Sequence, residues 1–326
     1  MKEKITIITG ASGEIGQNLI LKFKKIKNKK IIAIDLNDNI NISSIYKFYK
    51  NSILDQVLLN ELNKNYIIEE IFHFAAILST KAEKNPKLAE EVNVQGTLNL
   101  FNLALSQYKI NNIKTKFFFP SSIAVYNINS SLDKDKQISE ESFCYPATTY
   151  GKHKLFCENL GISFEQYGNE SNSFLDFRCI RFPGIISANS MPTGGTSDYA
   201  PELIHNAYKK NNYKCFVNKH TRLPFIVMPD AINAIIQIMK IDKKYLNKNV
   251  YNIKSFSPTV NELFLRIKTK FPNFLLSYNI DKMRQSIVDN WPNYIDDSAA
   301  MNDWEWLPQY NLNTAFTEYI EPILEK

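Results

Sequence analysis

The chain has 326 residues, with 39 Lys and Arg against 33 Asp and Glu and a formal net charge of +6. That length can bury a full core and suits one large α/β domain, or one domain with a smaller lobe. No apolar run is long enough to span a membrane, and only five basic residues are Arg (Arg178, Arg181, Arg222, Arg266, Arg284), so neither a membrane nor a nucleic-acid partner is expected.

In chain order, an apolar run begins within four residues of Met1. This leaves no room for a signal peptide, and a cytoplasmic protein is expected. Ile5-Thr6-Ile7-Ile8-Thr9 reads as a strand buried on both faces. Gly10-Ala11-Ser12-Gly13-Glu14-Ile15-Gly16 follows, then a helical stretch from Gln17 to about Lys27 with Leu19, Ile20, Phe23 and Ile26 on its apolar face. Ile31 to Ile34 is the next strand, ended by Asp35. The unit is βαβ with glycines at the turn and an acid closing the second strand. Gly10 permits a tight turn, Gly13 lets backbone approach a pyrophosphate, and Gly16 lets helix and strand pack closely. The helix N-terminus offers free N–H groups to phosphates. Asp35 can accept from both ribose hydroxyls and would repel a 2′-phosphate, so the expected cofactor is NAD rather than NADP. No metal is expected: Cys144, Cys157, Cys179 and Cys215 lack CxxC spacing and read as free thiols.

The GxxGxxG spacing resembles short-chain dehydrogenase/reductases, and in particular the extended branch that includes nucleotide-sugar epimerases. The resemblance implies a Rossmann doubly wound parallel sheet with a smaller C-terminal substrate-binding lobe. Residues 1–182 would bind NAD and 183–326 would mainly form the lobe, with some segments returning to the first domain. The resemblance puts Glu14, Ile15 and Leu36 beside the cofactor with the glycines and Asp35. Asp55 and Gln56, after the third strand, match the adenine-side position, although an ordinary helix cap is an equal reading of Asp55. Phe74, Ala75 and Ala76 end the fourth strand, where small residues would let the cofactor pass. His73 reads as a packed core residue. Asn93, in a helix expected from about Leu88 to Tyr108, matches an Asn that props the active-site strand; a cofactor contact is the other reading.

Phe117 to Ser122 reads as the fifth strand. The resemblance selects Ser122, four positions before Tyr126, over Ser121 as the hydroxyl that meets the substrate oxygen. Tyr150 and Lys154 are four apart and share a face if helical. A helix from Tyr150 to Gly168 is expected, with a buried stripe at Leu155, Phe156, Leu160 and Phe164. An ammonium near the phenol would lower its pKa and make Tyr150 a proton acceptor. In the family Lys154 would also bind the nicotinamide ribose, and backbone after Pro183 would hold the carboxamide.

The second half resembles the short-chain type of L-threonine 3-dehydrogenase. The resemblance runs through Ile77-Leu78-Ser79, Pro146 to Gly151, Arg181 to Ser187, Gly194 to Ala200, Thr221 to Pro224, Met228 to Ala231, Trp291-Pro292, Ile295 to Ser298 and Asp303-Trp304-Glu305-Trp306. It implies oxidation of L-threonine to L-2-amino-3-oxobutyrate, with Ser79 and Thr149 at the substrate and Gly195, Thr196 and Ser197 around its carboxylate. Thr193 and Ser197 depart from the usual Gly and Thr. Trp291 would close the pocket, or cap the core of the lobe. Asp230 reads as an N-cap for a helix from Ala231 to Met239, and Asp296 and Asp297 as structural. A homodimer through the helices 88–108 and 150–168 is implied by analogy. The alternative is a nucleotide-sugar 4-epimerase or dehydratase on the same catalytic core.

Overall fold

Runs of β-branched and aromatic residues become the strands of one parallel sheet. They are β1 (Glu3–Thr9), β2 (Ile31–Asp35), β3 (Lys47–Lys50), β4 (Tyr66–His73), β5 (Thr115–Ser122), β6 (Leu175–Phe182) and β7 (Val250–Asn252). The order across the sheet is β7-β6-β5-β4-β1-β2-β3. The computed structural model describes residues 2–24, 29–40, 42–130, 132–167, 173–192 and 194–325. Thr193, Gly168 and the last expected residues of the first helix, 25–27, lie outside the described residues. No helix among the described residues is long and apolar enough to cross a membrane.

Alternation along the strands loads both faces of the sheet. Ile5, Ile7, Ile32 and Ile34 join one core with Leu58, Leu62 and Phe101, while Ile8, Ala33, Phe72 and Phe118 join a second with Leu19, Ile20 and Phe23. Burial on both faces accounts for the near-continuous apolar runs. The second core continues without a break to Trp304, Trp306 and Ile320, so the second half packs directly on the sheet. The strand order reverses between β1 and β4, which opens a crevice at their C-terminal ends.

The helix after β1 spans Glu14–Phe23 and starts three residues earlier than the periodicity suggests, directly after Gly13. The expected 88–108 helix is longer: Pro86–Glu90, a π turn at Glu91–Gln95 and Gly96–Asn111 follow one another without a gap. The helix carrying Tyr150 spans Thr149–Gln166, but the expected apolar stripe is not its buried face. Gly151, Lys154, Cys157, Glu158 and Gly161 are buried, and Phe156 is exposed. The reason is close approach: a side chain at Gly151 would collide with the Ala124 carbonyl, and one at Gly161 with the Phe177 ring. Small and polar residues therefore occupy the face that the apolar pattern misses.

Asp230 is not an N-cap. The helix begins two residues before it, at Met228 (Met228–Lys240), and Asp230 is fully buried. Its carboxylate accepts the Gln309 and Tyr310 N–H groups at 3.0 and 3.2 Å and the Ser255 hydroxyl at 3.1 Å, tying down the C-terminal segment. Asp296 accepts the Ser298 N–H at 3.0 Å, and Asp297 pairs with Lys254 at 3.4 Å.

Candidate active site

The turn after β1 sits in the crevice. Gly10 has φ +64, and a Cβ there would lie 2.5 Å from Ala75 N and Phe74 C. Only glycine meets both the left-handed backbone and the close approach of the β4 end. Gly13 starts the following helix with no side-chain cap, so first-turn N–H groups stay open to an anion. Asp35 closes β2 beside this turn and accepts the N–H groups of Ser12 and Asn37, each at 2.9 Å. An open helix N-terminus, a glycine no side chain can replace and an acid across from it fit a dinucleotide. Ile15, Gly16 and the exposed Leu36 belong to the same cluster of segments. The Glu14 carboxylate accepts the Ser190 hydroxyl from the second half, and burial holds its pKa above the usual range.

Asp55 caps the helix Gln56–Asn65. Its carboxylate accepts Val57 N–H at 2.8 Å and Leu58 N–H at 3.1 Å, and the Asn51 amide at 2.7 Å. The capping reading accounts for the residue, and Gln56 is exposed as the first residue of that helix. Asn93 is buried in the π turn. Its amide oxygen accepts Ile77 N–H at 2.7 Å and its NH2 donates to Ile77 O at 3.0 Å. Both side-chain ends are engaged by the backbone of one residue, so Asn93 props the loop after β4. Pro183 is buried directly after β6.

Ser122 ends β5. Its Oγ accepts the Ala124 N–H at 3.2 Å, which leaves its own O–H free to donate. Ser121 is 3 % exposed and its hydroxyl finds no partner among the described residues. His73 bridges two hydroxyls, Thr9 Oγ1 at 2.7 Å and Thr97 Oγ1 at 2.9 Å. Burial, with Lys154 nearby, lowers its pKa to about 3. It is a neutral core residue.

The Tyr150–Lys154 pair departs from the sequence expectation. The Lys154 ammonium donates to the Pro120 carbonyl at 2.6 Å and lies 4.6 Å from the Phe119 ring centre, against 5.5 Å for the Tyr150 ring. Burial lowers the Lys154 pKa to about 8. Burial also pushes the Tyr150 phenol well above its ordinary range, with no offset from Lys154. The phenol is therefore not depressed as the spacing suggested. A shared helix face does not aim the ammonium at the phenol oxygen, and removal from water disfavours both charged forms.

The residues expected around the substrate converge from distant parts of the chain. Thr196 Oγ1 donates to Ser79 Oγ at 3.1 Å, and both residues are buried. The turn amides expected to meet a carboxylate already hold one. Asp198 accepts the Gly194 N–H at 2.8 Å and the Gly195 N–H as well. Arg284 donates to the Gly195 carbonyl, and Thr80 to that of Gly194. Gly195 thus builds the turn rather than offering free amides. Ser197 packs beside Gly184, whose added Cβ would lie 3.2 Å from the Ser197 Cβ. Thr149 is engaged by Glu83, through its N–H at 2.6 Å and its hydroxyl at 3.1 Å, and is not free to bind substrate through these groups. Trp291, 6 % exposed, belongs to the continuous apolar core, in keeping with its capping reading.

Sequence reasoning missed Glu83, Asp198, Arg284 and the buried ion pair of Arg181 with Glu158. Asp198 alone had a local signal, as an acid three residues after a glycine pair. The other contacts join residues 23 to 89 positions apart.

A family model described as the NAD dependent epimerase/dehydratase family matches residues 6–253. A monomeric L-threonine 3-dehydrogenase of metagenomic origin, solved in its apo form, is 36 % identical with a TM-score of 0.87, covering 98 % of this chain and 99 % of its own. The mitochondrial L-threonine 3-dehydrogenase of Sus scrofa is 33 % identical over 317 residues, covering 94 % of this chain and 79 % of its own. An uncharacterized epimerase/dehydratase of Staphylococcus saprophyticus is 35 % identical over 315 residues, covering 95 % and 94 %.

Proposed function

The chain belongs to the NAD dependent epimerase/dehydratase family, with NAD as its cofactor, and from that premise we propose that it oxidises L-threonine to L-2-amino-3-oxobutyrate. The family itself makes the chain an NAD-dependent oxidoreductase or epimerase. The observation that carries the finer reading is similarity to proteins named L-threonine 3-dehydrogenase over nearly the whole chain, second half included. The buried Ser79–Thr196 hydroxyl pair supports it, because hydroxyls suit a small polar substrate.

In this reading Gly10, Gly13, Gly16 and Asp35 hold NAD. When bound, NAD supplies the hydride acceptor. Ser122 donates its free O–H to the oxygen on the substrate β-carbon, and Tyr150 takes the proton of that hydroxyl. Lys154 supplies the positive charge the phenolate needs, which requires its ammonium to turn from Pro120 O toward Tyr150. Ser79 and Thr196 orient the amino acid. The chain would pair as a homodimer through helices that expose Leu88 and Phe156, which sedimentation would test.

The deciding experiment incubates purified protein with NAD and L-threonine and follows NADH absorbance. NADH formation dependent on L-threonine is expected. No signal with L-threonine, together with turnover of a UDP- or dTDP-sugar, overturns the reading in favour of an epimerase or dehydratase.

A further inference from the structure

We infer that Glu83 is a positioning residue, and that the short helix Ser79–Lys84 is a strut fixing the start of the Tyr150 helix relative to the Gly194–Thr196 turn. The inference rests on the proposed dehydrogenase reading for its kinetic consequence, but its structural half stands apart from any substrate.

The strut is anchored at both ends. At its N-terminal end, Ser79 accepts the Thr196 hydroxyl at 3.1 Å, and Thr80 donates to the Gly194 carbonyl. Just before it, the Ile77 backbone N–H and C=O are both held by the Asn93 amide, at 2.7 and 3.0 Å. At its other end, the Glu83 carboxylate accepts the Thr149 N–H at 2.6 Å and the Thr149 hydroxyl at 3.1 Å. Ala82 between them is fully buried. Ser79 and Glu83 are four residues apart and so lie on one helix face, separated by one turn or about 6 Å of rise.

Thr149 is the first residue of the helix whose next residue is Tyr150. Thr148 caps that helix by accepting the Gly151 N–H at 3.1 Å, and Glu83 accepts one of the first-turn donors that remain. The carboxylate also faces the positive end of an 18-residue helix, where a negative charge is favoured. The two sites are otherwise distant in sequence, at 149–150 and 194–196. One carboxylate therefore sets the angle at which the Tyr150 helix begins, measured from the hydroxyl pair proposed to hold the substrate. A displacement near 1 Å at that point is expected to cost turnover about 100-fold.

The test uses Glu83→Gln and Thr149→Ala in the full chain. Native-state hydrogen exchange reads the clamp without any substrate: the Thr149 amide should exchange at least about 10-fold faster in Glu83→Gln, with amides of β1 and the Glu14–Phe23 helix unchanged. In L-threonine oxidation, Glu83→Gln should lower kcat about 10- to 100-fold while KM for L-threonine and for NAD moves less than about 3-fold. Thr149→Ala keeps the backbone bond and should lose less. The double variant should be no worse than Glu83→Gln alone. Unchanged exchange at Thr149 overturns the clamp, and faster exchange with kcat within about 2-fold overturns its catalytic importance. A fall in kcat matched by weaker NAD affinity and a lowered Tm would mark general unfolding and also overturn it. If wild-type protein ignores L-threonine, the function reading fails, and the exchange result still decides the clamp.

Discussion

Lys154 gives its ammonium to the Pro120 carbonyl at 2.6 Å although Tyr150 stands one turn away on the same helix. The cation is buried against the Phe119 ring, and its pKa is lowered to about 8 from 10.5. The folded state thus disfavours the charged amine. The penalty is full below about pH 8 and is relieved as pH rises toward 10.5, because only the unfolded chain binds the proton in that window.

Lys154→Met should therefore abolish turnover while leaving the fold at least as stable at neutral pH. The advantage of the Met variant should shrink between about pH 8 and 10.5. Urea denaturation of both proteins across that range checks it. A loss above about 2 kcal/mol at neutral pH would show that the bond to Pro120 outweighs the cost of burying the charge.

His73 has the opposite practical consequence. Its pKa falls from 6.5 to about 3, so the unfolded chain takes up a proton that the folded chain refuses as pH drops through that interval. Stability should decline by up to about 1.4 kcal/mol per pH unit below pH 6.5 from this group. His73→Gln, which keeps a donor and an acceptor for Thr9 and Thr97, should flatten the slope. Denaturation midpoints near pH 7 and near pH 5 would show it, and parallel slopes would rule the histidine out.

Arg181 on β6 grips Glu158 through two bonds of 2.9 and 2.6 Å, and also donates to Tyr126 Oη at 2.9 Å and Glu140 O at 2.6 Å. Their side chains are 5 % and 1 % exposed. Glu158→Leu leaves a buried guanidinium without its carboxylate and should cost about 3–5 kcal/mol in denaturant titrations. Glu158→Leu with Arg181→Met should be less destabilised than Glu158→Leu alone. A double variant as weak as the sum of the singles would mean the pair is not coupled.

Asp35→Ala acts on cofactor choice. The carboxylate holds the Ser12 N–H of the glycine turn and is proposed to accept from the ribose hydroxyls, so its loss should weaken NAD binding about 10-fold or more. NADP binding should improve relative to NAD, since the repulsion of a 2′-phosphate is gone. Calorimetric titration with both cofactors measures this, and an unchanged ratio would refute the discriminating role.

Tyr150→Phe tests the base directly. It removes one oxygen from a helix held by other contacts, so turnover should fall at least about 100-fold with NAD affinity nearly unaltered. Wild-type rates in that variant would place the proton acceptor elsewhere.

The local patterns were legible in the sequence for a physical reason: they are short-range. A β-branched run, a glycine turn, a helix and Asp35 specify their unit through neighbours a few residues apart, and the structure builds it with Gly10 at φ +64. The near-continuous apolar run from Ile5 to Thr9 likewise announced a strand buried on both faces. Tertiary structure decided what depends on distant partners. It turned Asp230 from a cap into an anchor for Gln309 and Tyr310, and it buried Lys154 and Glu158 where Leu155 and Phe156 looked better suited. It brought Ser79 to Thr196 across 117 positions and Glu83 to Thr149 across 66. It also moved the pKa values of Tyr150 and Lys154, because spacing places two side chains on one face while burial disfavours the charged form of each.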